Sequence, residues 1–131
     1  MDAKIKLAQN FLDALRKGEH DRLFSYLSED VHIVGGSGTH YGKPELIQYF
    51  SHPGKPYKDV VQEPVGEYLH GDTVIIETVM KAEHVEPYMG IPASGKPFVM
   101  PTLHVFEVKE NKIVAWRQYQ NTKILMDLNN P

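Results

Sequence analysis

Apolar positions in the first half of the chain recur at helical spacing. Ile5, Ala8, Phe11, Leu12 and Leu15 fall on one face of a helix that Asp2 can cap and Gly18 can stop, with Arg16 and Lys17 in the last turn. Leu23, Phe24 and Leu27 give a second, shorter helix over 20–28 its inner face. "VHIV" (31–34) is β-branched and reads as a strand. The glycine-rich "GGSG" that follows reads as a bend into a third helix, opened by Pro44 and carrying Leu46, Ile47 and Phe50 inward. After "SHPGKP" the period changes to two. Strands are expected over 57–70, 73–84, 96–108 and 113–121, with Pro64, Gly66 and Pro101 marking bulges or an edge. The tail predicts one helical turn. Helices first and antiparallel strands second argue α+β, with helices packed on one face of a curved sheet.

Strand parity selects the inner face. Ile76, Thr78, Met80, Ala82 and His84 alternate with Glu77, Lys81 and Glu83. Met100, Thr102, His104, Phe106 and Val108 alternate with Glu107 and Lys109. On the last strand Val114, Trp116, Gln118 and Gln120 share a face. The expected floor is therefore Thr78, Met80, Thr102, His104, Trp116 and Gln118: one imidazole and a few neutral polar groups among apolar walls. Such a lining suits a mostly apolar ligand.

Composition narrows the function classes. The 131 residues suggest one domain, 1–131. A net charge of −3 offers no basic footprint for nucleic acid. No apolar run approaches the ~20 residues of a membrane span, and residues 1–18 read as an amphipathic helix rather than a secretory leader, so a cytoplasmic location is expected. Cysteine is absent, which removes disulfides and thiolate chemistry. Seven histidines keep acid–base chemistry open, but no HxH or HExxH spacing occurs, so neither a metal site nor a cofactor is expected. "GGSGTHYG" fails as a P-loop, since no Lys-Ser/Thr follows, and as a nucleophile elbow, since Thr39 stands where glycine is needed.

The segments "FLDALRKGEHDRLFSYLSEDVHI", "YGKPELIQYF", "GIPASGKPFVMPTLHVFEVKENKIVAW" and "WRQYQN", in this order and covering nearly the whole chain, resemble the nuclear transport factor 2-like superfamily. The superfamily includes ketosteroid isomerase and limonene epoxide hydrolase. "SGKP…HVFEV…NKIVAW" is most like its SnoaL-like polyketide cyclase branch. The resemblance implies a cone-like, mixed but mostly antiparallel sheet wrapped by three N-terminal helices. The sheet would enclose a cavity, and two copies would pair through the open sheet face as a homodimer. Epoxide hydrolysis is disfavoured, because Thr78, Met80 and Gln118 stand where that relative holds its charged groups. Classical steroid isomerisation is disfavoured too: its base falls near Val34 and Gly35, although His104 matches the acid position. His104 also matches the histidine of the cyclases, but Gln118 replaces their acid.

The resulting expectation is a protein binding a small apolar or polyketide-like ligand. His104 would serve in cofactor-free cyclisation, isomerisation or dehydration, with Gln118 orienting a carbonyl or water. The alternative is a non-catalytic ligand-binding or dimerisation domain. Thr78, Met80, Thr102, Trp116, Tyr26, Tyr49 and His84 are further candidate ligand contacts. His84 is also a possible partner for His104, and the 85–95 connection, with Tyr88 and Met89, a possible lid.

Overall fold

The computed structural model describes residues 2–35, 38–50, 57–87 and 90–129, with the backbone alone for 49 and 50. Helix α1 spans Ala3–Lys17. The Asp2 carboxylate accepts from the Lys4 amide at 2.7 Å, and Gly18 closes the helix in the left-handed region at φ 70°. Helix α2 spans His20–Ser25, shorter than the apolar spacing predicts. Strand β1 (Leu27–Gly35) begins where that helix was expected to continue. Leu27 pairs with Ile113, and the Ile113 amide donates to the Tyr26 carbonyl at 2.8 Å, so sheet pairing takes the last helical turn.

The glycine stretch is a hairpin rather than a bend. Gly38–Tyr41 forms strand β2, paired antiparallel to β1 from His32↔Tyr41 to Gly35↔Gly38. Its tip, residues 36 and 37, lies outside the described residues. Helix α3 (Lys43–Phe50) follows. Strands β3 (Tyr57–His70), β4 (Thr73–His84), β5 (Pro97–Lys109) and β6 (Lys112–Gln120) form an antiparallel meander, and a short helix α4 (Lys123–Asp127) ends the described chain. The sheet order is β2-β1-β6-β5-β4-β3; among the described residues only the β1–β6 pairing is parallel. Among the described residues, three helices in the first half, a fourth after the last strand and a curved, mixed six-stranded sheet make the α+β fold.

Two details of the strands differ from the parity reading. Pro101 sits in regular register opposite Val79, with no bulge there. β6 has ended at that level, since its last partner on β5 is Thr102, so the missing N–H interrupts no ladder on that side. The irregularity instead lies on β6. Phe106 faces Trp116, yet Val108 faces Ile113, so one extra residue is accommodated between them. This bulge replaces Val114 by Ile113 on the inner face: Ile113 is fully buried and Val114 only half-buried. At β3 the shift between Pro64 and Gly66 does fall where the sequence marked an edge.

The inner face carries two separate apolar clusters. The larger packs α1 (Leu7, Phe11, Ala14) and Leu23 against Val31, Ile33, Val74, Ile76, Phe106, Val108, Ile113 and Trp116. Phe11 is its keystone, edge-on to Phe106 (centroids 5.6 Å) and to Trp116 (4.9 Å). The smaller joins Met80, Ala82, Phe98 and Met100 to Leu125 of α4. That helix is tied down by Lys96 Nζ, which donates to the Leu128 carbonyl, and by Asn129 Nδ2, which donates to that of Pro92, each at 2.9 Å.

Candidate functional site

Between the two apolar clusters the inner face becomes polar. Cross-strand register sets Thr78 opposite Thr102, Thr102 opposite Gln120, and His104 between Ile76 and Gln118. Thr78 Oγ1 donates to Gln62 Oε1 on β3 at 2.9 Å, and Gln120 Nε2 donates to Thr102 Oγ1 at 3.2 Å. A belt of neutral hydrogen-bonding groups thus crosses β3–β6. Burying such groups is unfavourable unless each finds a partner, and most here do.

His104 is the exception. It is fully buried, beside Phe106 and Trp116. The Trp116 indole Nε1 donates to His104 Nδ1 at 3.1 Å. Their rings lie within 18° of parallel with centroids 6.1 Å apart. The other ring nitrogen, Nε2, is buried with no hydrogen-bond partner among the described residues. Desolvation lowers the His104 pKa from 6.5 to about 4, so the ring is neutral at pH 7.

Thr78, Met80, Thr102 and Trp116 are all buried on the inner face, as parity predicts, and Gln118 is half-buried there. Gly35 ends β1 beside them: a Cβ on it would meet Gln118 Oε1 at 3.8 Å, an ordinary contact. Gln62 and Gln120 complete the belt. Parity alone exposes Gln120, whereas the two register shifts in β3 hide Gln62.

The structure does not bring the remaining candidates to this place. Tyr26 caps the C-terminus of α2, and its hydroxyl accepts from Arg22 Nε at 2.9 Å. It lines an open depression of about 460 Å³ with Leu7, Asn10 and Lys112 near the β5–β6 turn. A second depression there, about 310 Å³, is lined by Lys4, Asp72, Val108 and Glu110, and neither depression includes His104. His84 does not converge with His104. His104 pairs with Ile76, eight residues before His84 on β4, which is roughly 26 Å of extended strand. His84 is instead buried near Tyr57 (centroids 6.1 Å), with both ring nitrogens lacking a partner among the described residues. The Tyr49 side chain, Tyr88 and Met89 lie outside the described residues. Among the described residues, no three or more His, Asp or Glu side chains are grouped to hold a metal ion, and no helix is long and apolar enough to cross a membrane.

Chemically, the belt holds one buried ring nitrogen without a partner among the described residues, amides on Gln118 and Gln120, and hydroxyls on two threonines. β4, β5 and β6 contribute no carboxylate to this face. The fold has many counterparts among solved structures. A candidate SnoaL-like polyketide cyclase from Jannaschia superposes with a TM-score of 0.85 at 13% identity, over 98% of this chain and 93% of that one. A candidate polyketide cyclase from Pseudomonas putida is 22% identical with a TM-score of 0.78, over 98% of both chains. A nuclear transport factor 2-like protein of unknown function from Burkholderia pseudomallei matches over 100% of both chains at 15% identity and a TM-score of 0.80. No curated protein matches the chain. The SnoaL-like domain model matches residues 8–116, which is most of the length and includes β1, β4, β5 and the first part of β6, and the chain therefore belongs to the SnoaL-like family.

Proposed function

We propose that the polar belt is a ligand site. In this reading the protein binds a small, mostly apolar, polyketide-like molecule there and acts on it by cofactor-free cyclisation, isomerisation or dehydration. The observation that carries this is His104: a fully buried ring nitrogen with no partner, set between two apolar clusters. A protein gains no stability from an unpaired buried polar group, whereas a ligand oxygen would pair it. Gln118, directly opposite on β6, would orient the ligand. The polyketide character rests on family membership and on the names of the solved relatives.

The test is His104→Ala. Native mass spectrometry of the purified protein should show a retained small molecule that the variant loses, and turnover of neutral aromatic polyketides should drop with it. Unchanged retention and turnover would sink the assignment.

One observation favours a second reading, a binding domain without chemistry: the belt strands β4–β6 turn no carboxylate to the inner face to serve as a base. A retained molecule that leaves the protein chemically unaltered supports it. As partner, we propose a second copy of the chain, docked through the outward sheet face. There Val99 (54% exposed), Leu103 (37%) and Tyr119 (51%) form an apolar strip, with Leu103 directly opposite Tyr119.

A further inference from the structure

We infer that Trp116 is the positioning residue of the site: its indole N–H occupies Nδ1 of His104, fixes the ring proton on Nε2, and so makes the site a hydrogen-bond donor selective for neutral ligands bearing an acceptor oxygen. This rests on the reading that His104 meets the ligand.

The indole nitrogen can only donate. At 3.1 Å it donates to Nδ1, which must therefore accept through its lone pair and carry no proton. A neutral imidazole then holds its single proton on Nε2, the atom left unpartnered. The opposite tautomer would set Nδ1–H against the indole N–H and lose the bond. His104 therefore cannot take a proton from a ligand while this contact stands, because the only nitrogen a ligand can reach already bears one. It can donate to a carbonyl oxygen and hold negative charge developing there.

The surroundings agree. Phe106 and Ile76 flank the ring, and Gln118 and Thr102 add only neutral groups. A carboxylate ligand would enter with no cation to meet it on β4–β6 of the inner face. A ketone, ester or quinone carbonyl matches the single donor. Any reaction that also needs a base must draw it from the ligand or water rather than from His104.

Two-bond ¹H–¹⁵N correlation spectra of imidazole-labelled protein at pH 7 test the assignment directly. The expected result is one fixed Nε2–H tautomer for His104 in the unaltered protein and mixed tautomers in Trp116→Phe. A Nδ1–H tautomer in the unaltered protein overturns the inference, as does a Trp116→Phe spectrum identical to it. The ligand class is probed with 2-acetylnaphthalene against 2-ethylnaphthalene. The ketone should move the Nε2–H resonance and bind about tenfold tighter, the effect of one added hydrogen bond. Equal binding, or no movement of that resonance by the ketone, overturns the acceptor selectivity. A fixed Nε2–H tautomer combined with no ketone response fails the ligand reading of His104 itself, while the role of Trp116 in setting the tautomer stands.

Discussion

At the scale of single residues, His104 couples the site to stability. Its pKa falls from 6.5 to about 4 on folding because burial penalises the charged ring. Between those two values the unfolded chain binds the proton and the folded chain does not. Stability from this group is therefore complete above pH 6.5, declines as pH falls toward 4, and is level below. The interval is worth roughly 3 kcal/mol. Urea denaturation from pH 7 to pH 4 should show this slope, and His104→Gln should remove its share. Gly35 offers the converse experiment. It lies outside the left-handed region, and only Gln118 Oε1 comes within 4 Å of a Cβ built there. Gly35→Asp should fold and place a carboxylate at the end of β1 beside Gln118, raising the pH at which His104 takes its proton. An unmoved NMR titration of His104 would show that the two groups do not communicate.

At the scale of elements, legibility followed periodicity. β4 and β5 alternate strictly, and their inward residues, Thr78, Met80, Thr102 and His104 among them, are readable by counting in twos. β6 is not, because its bulge exchanges Val114 for Ile113. The same bulge sets Trp116 opposite Phe106, diagonal to His104, so the indole–imidazole bond was beyond any parity argument. β2 was missed because four residues flanked by glycine carry no alternation to count. Tyr26 was misplaced because sheet pairing, a long-range effect, shortened α2 and left the ring near the surface. The short α4 was legible as a turn, but its weight was not. Its Leu125 is fully buried against Met100 and its neighbours and forms one wall of the smaller cluster. Leu125→Ala should cost about 2–5 kcal/mol in urea unfolding, with the exposed cluster binding a hydrophobic dye. A change below ~0.5 kcal/mol, the level of a surface substitution, would mean that α4 is not anchored there.

At the scale of the whole molecule, the sheet has two unlike faces. The inner one is filled by helices and clusters. The outer one joins the Val99–Leu103–Tyr119 strip to charged neighbours, with Arg117 bonded to Glu107 at 3.0 Å and Lys81 to Glu63 at 2.9 Å. Charges satisfied within one copy leave the strip free for apolar contact with another. Leu103→Lys would place an unpaired ammonium in such a contact while staying solvated in a lone copy. Sedimentation velocity should therefore give a dimer for the unaltered protein and a monomer of unchanged unfolding midpoint for the variant. A dimer in both would move the interface elsewhere.

The parallel pairing of β1 with β6 has a consequence in time. β3 to β6 succeed one another through hairpins and connections and can zip up as they emerge from a ribosome, each strand meeting the one just made. β1 meets β2 in this way, but not its other neighbour. Its pairing with β6, running from Leu27↔Ile113 to Val34↔Arg117, joins residues 83 to 86 positions apart in the chain. Until β6 is made, β1 has only β2 for a sheet neighbour, and closing so long a loop is slow. The ring neighbours of the buried imidazole, Phe106 and Trp116, come together within the meander, but the keystone Phe11 reaches the Trp116 ring only when α1 docks, so the site is assembled first and covered later.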